Sequence, residues 1–456
     1  ISGANDSALS TNVDSLSASS TSGSIDITND GDVSIDSLSA GNDITLATTN
    51  DGDVIFTTEA GETSVTADSL TLNVDGSITN TDAVVTDVNS LTATVEGDLN
   101  IDNTGDLDLG NVVADSVEIA TTGDMTSTGT IVADSADLSG ASIDVDTIVG
   151  SLTATSKGDV TVSNTGDLEV GDVVSGDSVE IAATGSITSE DETSITANSV
   201  DLTADDSIDV NTTAGSLSAE ADGDITIAQT GNLELDDMTS TSGSIEVTAD
   251  GDIVQVGAVL VTGDNDVTVS TDGIITATGD ASTSIDSGSI TYEGEIVDSL
   301  PTLSSTGNGS IIVNGSGDAA DNVEDYIDSN SGSFDDVVSN GVITGGSVRD
   351  AFDQYGAEGT KEVSPDSESN SPLLSENAEG NSAFIIGNKT YSPTDVDQNT
   401  ESGNGDVYTF GNIDPEQVSS DKASSEEDEE EKEETTQDAK QASAEEAQPV
   451  ETLSLN

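Results

Sequence analysis

Carboxylates two residues apart, as in Gly105-Asp106-Leu107-Asp108-Leu109, recur along this chain, and they are the side chains present in the numbers that acid–base or metal chemistry needs. On an extended strand two such residues project from the same face, so Asp106 and Asp108 stacked on neighbouring strands would form a ladder of oxygen ligands suited to calcium. Calcium is the only cofactor the composition suggests, and the Gly-Gly-x-Gly-x-Asp nonapeptide of calcium-binding β-rolls is absent. Paired carboxylates also serve glycoside hydrolysis, but at 91 Asp plus Glu no single pair stands out as an acid and its base. There is no His, Cys or Trp, and the one Arg is Arg349. The commonest general base, the thiol nucleophile and the usual aromatic platform for sugars are therefore all missing. We assign no catalytic, cofactor-binding or metal-ligating residue from the sequence and read the chain as a non-enzyme.

The elements that would carry these carboxylates are repeated. The stretch GDVTVSNTGDLEVGDVVSGDSVEIAATGSI from Gly158 to Ile187 has an earlier copy beginning at Gly97 and a later one beginning at Gly223, so the copies start at nearly equal intervals. Each copy joins a Gly-[Asp/Ser/Asn]-[Ile/Val/Leu] corner to alternating polar and apolar residues, as in Gly158-Asp159-Val160-Thr161-Val162. That pattern is a turn feeding a short strand with one buried face. Strands this short bury too little alone, and stacked coils solve the problem by building continuous apolar ladders. The spacing predicts a parallel β-helix (solenoid) with coils of about 20 residues, two or three sides to a coil and three coils to the longer period. A string of β-sandwiches fits less well, because only Phe56 among the aromatics precedes residue 290.

Charge excludes whole classes of partner. Seven Lys plus Arg against 91 acids leave a net charge of −84. Residues 1 to 348 contain one cation, Lys157, so neither nucleic acid nor an anionic membrane surface is a partner. The same density of like charge suits water rich in screening ions. No apolar run approaches the length a membrane-spanning helix requires. The chain opens on Ile1 with an Asp-Ser-Leu-Ser-Ala element already in place, and we read it as a processed product or a piece of a longer precursor.

Three regions are expected. Residues 1–313 form the parallel β-helix array. Residues 314–418 form a small, non-repetitive mixed appendage or cap, with a helix over Ser347 to Gly356 and strands at Ala383 to Ile386 and Val407 to Phe410. Residues 419–456 form a disordered acidic tail that includes EEDEEEKEE from Glu426 to Glu434.

The stacked corners, the duplicated coils and the lack of Cys resemble the filamentous haemagglutinin-like exoproteins of bacterial two-partner secretion, over about residues 1 to 313. The resemblance implies a right-handed parallel β-helix, export through an outer-membrane β-barrel transporter and display at the bacterial cell surface or outside the cell. That family's amino-terminal secretion domain, with its Asn-Pro-Asn motifs, has no counterpart here, since the chain contains no Asn-Pro. The expected function is a secreted fibre or adhesin segment, a structural spacer or multivalent surface whose partners would be host or microbial surface glycans or further copies of itself. The rival readings are a β-helix polysaccharide-degrading enzyme and a calcium-dependent matrix or biofilm protein.

Overall fold

In the computed structural model, mostly short parallel strands follow one another along the chain, most of them pairing with the strand two places before and the strand two places after. The structure describes residues 2–316, apart from 4, 58–61, 79–83, 191–192, 298 and 308, and beyond these a set of strands and single residues as far as Phe410. The strand Val160–Asn164 shows why the strands stack. Its burial alternates, with Val160, Val162 and Asn164 inside and Thr161 and Ser163 outside. In register above and below Val160 lie Ile143 and Val179, followed by Val200 and Leu217, and every one of them is buried. Burying a Val or Ile side chain is worth about 1.5–3 kcal/mol, so a short strand is held by its neighbours in the stack rather than by itself. The result is a β-solenoid of about 16 coils. At about 4.8 Å per coil it is a rod roughly 75 Å long.

Each coil contributes strands to two columns. One column stacks Leu99–Asn103, Ser116–Thr121, Ser135–Gly140 and Ser151–Ser156. The other stacks Leu107–Val113, Met125–Val132, Ile143–Ile148 and Val160–Asn164. Through Leu107, Met125, Ile143, Val160 and Val179 the ladder advances a little faster than the corner spacing suggests, since every one of these coils is slightly shorter than expected.

This register corrects the expectation of three coils to the period. Leu99 and its repeat equivalent Val160 do not share a ladder: Leu99 stacks through Val117, Ala136 and Leu152 to Val170, and Val160 falls between the last two, in the other column. The duplicated unit therefore spans three and a half coils. Its segment Leu107–Val113 and the copy Leu168–Val174 stand in opposite columns, and the third copy, Leu233–Ser240, returns to the first. A half coil is permitted because both columns impose the same inward–outward alternation, so one sequence satisfies either.

Near the carboxy-terminal end the pairing changes sense. Asp336–Ser339 adds to Gly309–Ser316 in parallel, but Val342–Gly345 then pairs antiparallel with it and, through Val342 and Thr409, with Val407–Phe410. The expected strands are found at Ser382–Ile386 and Val407–Phe410. The expected helix over 347–356 and the acidic tail from 419 lie outside the described residues.

Candidate functional site

The outer faces carry the carboxylates, and the register decides what they can do. Along one outward ladder Ser151, Glu169, Thr188, Asp209, Thr226, Glu246 and Thr268 succeed one another, so acids alternate with hydroxyls from coil to coil. The alternation doubles the spacing of like charges from about 4.8 Å to about 9.6 Å, beyond the Debye length of about 8 Å in physiological salt. Asp108 obeys the same rule. Its ladder neighbours are Ser90 and Thr126, its Oδ2 accepts from the Thr128 hydroxyl at 3.2 Å, and its Oδ1 is buried without a hydrogen-bond partner. Asp106 sits at the corner, where its Oδ1 accepts the Asp124 N–H at 3.0 Å. The stack thus places no second carboxylate in register with Asp108. Acids do meet at Glu118 with Asp137 and at Glu180 with Asp201, equivalent places in two copies of the repeat. Burial raises the Asp137 carboxyl above its ordinary value. Among the described residues no three side chains of ligand type gather in a way that could hold a metal ion.

The corners are built around a buried amide. Asn164 ends its strand pointing inward, 3% exposed, and its Oδ1 accepts the Thr147 hydroxyl at 2.9 Å and the Val149 N–H at 3.0 Å, both from the preceding coil. Its Nδ2 donates to the carbonyls of Gly166 and Asp167, each at 3.3 Å. One side chain thereby ties two coils together and closes the turn that follows. Gly166 makes that turn at φ +104°, which few residues other than glycine adopt without strain. Asn29 with Thr11, Asn103 with Thr86 and Gln229 with Thr212 repeat the arrangement. Gln229 reaches the same places with a longer arm, donating to the Ala214, Thr230 and Asn232 carbonyls. Neither Asn164 nor Gln229 stands out from periodicity alone. Their signal in the sequence is an Asn or Gln placed two residues ahead of the glycine of a Gly-[Asp/Asn]-[Val/Leu] corner, and a Thr one coil earlier.

Two open grooves flank these corners. One, of about 380 Å³, crosses the coils at Asp146, Ser163 and Ala182 and takes in Ile148, Thr165 and Thr203. The other, of about 490 Å³, crosses at Asn211, Ala228 and Thr248 and takes in Ser194, Thr213 and Thr230. They occupy equivalent positions in the repeat, because Ser163, Asn164 and Thr165 correspond to Ala228, Gln229 and Thr230, and Ala183 to Ala249. Asn211 opens a potential glycosylation sequon, yet its side chain already donates to the Glu190 and Thr193 carbonyls at 2.8 and 3.2 Å.

A different polar core appears further along. Gln255 stands in the ladder after Leu217 and Leu235, where the earlier coils carry aliphatic residues. Tyr292, fully buried, donates its hydroxyl to Gln255 Oε1 at 2.8 Å and lies 2.6 Å from the Thr283 hydroxyl. Burial drives the phenol well above its ordinary value, so it remains a neutral donor. Comparison of the chain with family models, with curated proteins and with solved structures finds no match.

Proposed function

We propose that this chain is a length of secreted, surface-displayed fibre or adhesin without catalytic activity, acting as a rigid spacer and a repeated binding surface. The observation that carries the proposal is the stack itself: the described coils from Ser7 to Ser316 form one continuous rod whose outer ladders repeat the same polar chemistry. Such a surface binds by number and spacing rather than by one deep site. Export through an outer-membrane β-barrel transporter belongs to the same proposal and rests on the resemblance to two-partner secretion exoproteins. An acidic rod of this kind takes uncharged or cationic partners and repels anionic ones. The test incubates the purified chain with neutral and acidic polysaccharides while retention and newly formed reducing or unsaturated ends are followed together. Retention of a neutral polymer without turnover supports the fibre. Turnover abolished by replacing one Asp cluster overturns it in favour of a polysaccharide-degrading enzyme.

A further inference from the structure

We propose that the two equivalent grooves are a duplicated site for an uncharged oligosaccharide, presented on opposite sides of the rod. This deepens the binding-surface reading and rests on it.

Three observations converge. The grooves recur at the same positions of successive repeat copies, each beside a corner fixed by a buried amide, Asn164 in one and Gln229 in the other. Their rims are therefore held rigid, which lowers the entropy cost of binding. The chemistry is that of a polyhydroxylated ring. In the first groove Ser163, Thr165 and Thr203 offer hydroxyls that bond to no other described side chain or backbone group, and Asp146 and Asp205 are acceptors for sugar hydroxyls. Ile148, 44% exposed in a groove otherwise lined by small and polar residues, supplies an aliphatic contact for the C–H face. The net charge of −84 selects against acidic sugars, and with hydroxyls outnumbering the carboxylates Asp146 and Asp205 in the groove we take the ring to be neutral rather than cationic.

The third observation is the half coil. Asn164 belongs to one column and Gln229 to the other, with three and a half coils between their copies. At about 4.8 Å per coil the sites stand roughly 17 Å apart along the axis, facing away from each other. Two glycan chains are therefore held on either side of one rod, and the fibre bridges polymers instead of lying along a single one.

The test uses the full chain with isotope-labelled Ile and Ala methyl groups, titrated with neutral gluco-, galacto- and manno-oligosaccharides. Saturable shifts at Ile148, Ala182, Ala228 and Ala249 with one of these sugars are expected. Ala182→Ile fills the first groove and abolishes only the shift at Ile148; Ala228→Ile fills the second and abolishes only the shift at Ala249, the labelled methyl that remains in that groove. Both positions face outward on strands, and circular dichroism and melting confirm that each variant folds. With both grooves open the chain cross-links a neutral polysaccharide into a sedimenting network, and either filled variant binds without cross-linking. Shifts confined to other parts of the rod, or none up to saturation of the sugar, overturn the proposal. Retention on a polysaccharide that survives in the doubly filled variant overturns the grooves while leaving the fibre standing. Turnover of the polymer removes the fibre reading itself.

Discussion

The coils between Leu99 and Ala249 and those between Ile253 and Val313 solve one problem in two ways. In the first region the repeat is intact, the ladders are mainly Val, Ile, Leu and Ala, and the polar side chains admitted to the core are the corner amides with their Thr partners and the hydroxyls of Thr121, Ser156, Ser175 and Ser240, which donate to backbone carbonyls. In the second the repeat has decayed, a Gln stands where Leu217 and Leu235 stood, and Tyr292 fills the space with its hydroxyl bonded to Gln255 and Thr283. A duplicated coil inherits its satisfied hydrogen bonds, whereas a diverged coil has to build a network of its own. Apart from Asp108 Oδ1, the buried polar side-chain atoms described in both regions are tolerated because each finds a partner.

The largest effect is expected where the diverged network hangs on one side chain. Tyr292→Ala removes a fully buried ring and should cost about 4 kcal/mol in denaturant unfolding. Tyr292→Phe keeps the ring but strands Gln255 and Thr283, and should cost about 1–2 kcal/mol. Equal losses for the two would mean that the hydroxyl, and not the ring, holds this region. In the intact region Asn164→Ala leaves the Thr147 hydroxyl and the Val149 N–H without acceptors, at a cost of about 3 kcal/mol. A loss below about 1 kcal/mol would show that water replaces the amide and that the inherited corner matters little.

Gly166→Ala probes the same corner through the backbone alone. Nothing lies within 4 Å of the added Cβ, so the expected cost is only the left-handed strain, about 1–2 kcal/mol. A larger loss would mean that the whole turn, and not one residue's φ, gives way.

The acids give a comparison in pH, with opposite signs in the two regions. Desolvation holds the Asp137 carboxyl above its ordinary range, so its charge opposes folding at neutral pH and the penalty is relieved as pH falls through its folded value. Asp137→Asn should therefore raise the melting temperature at pH 7, with the advantage fading in acid. Asp286, in the diverged region, is held below its ordinary range by the Gly263 N–H and the Thr306 hydroxyl. Its contribution is present above the unfolded carboxylate pKa and is lost as pH falls through the lower folded value, so Asp286→Asn should cost stability at pH 7 and progressively less below about pH 4. Melts across this range that move in the same direction for both variants would refute the assignment.

The smallest expected effect is a gain. Asp108→Thr removes a carboxylate whose Oδ1 is buried without a partner and supplies a β-branched residue between Ser90 and Thr126. An increase of about 0.5–1 kcal/mol is expected, and a decrease would mean that the Thr128 hydrogen bond to Oδ2 is worth more than the buried Oδ1 costs.

Much of this architecture can be read directly from the chain. The alternation in Val160-Thr161-Val162 and the glycine corners specify short half-buried strands, and a poverty of aromatics limits the core to a narrow one. The number of coils in a repeat is not legible in the same way. It depends on where Val160 falls relative to Leu152 and Val170, which is set by strand pairing across turns and not by anything local. Asn164 is hidden for a related reason. An Asn before a glycine reads as part of a turn, and only the stack reveals that its partners Thr147 and Val149 belong to the coil before. The alternation of acids with Ser and Thr along the outer ladders is likewise invisible until the coils are aligned.

The half-integral repeat also constrains how the protein can change length. Gain or loss of a single unit by recombination between copies would leave every corner and ladder intact, since either column accepts the same sequence. It would, however, rotate everything beyond the join by half a turn about the rod axis. Only changes in pairs of units, such as the interval from Gly97 to Gly223, preserve the phase between the two ends. A lineage that varies its reach one unit at a time would turn its distal end to face the opposite way at every step.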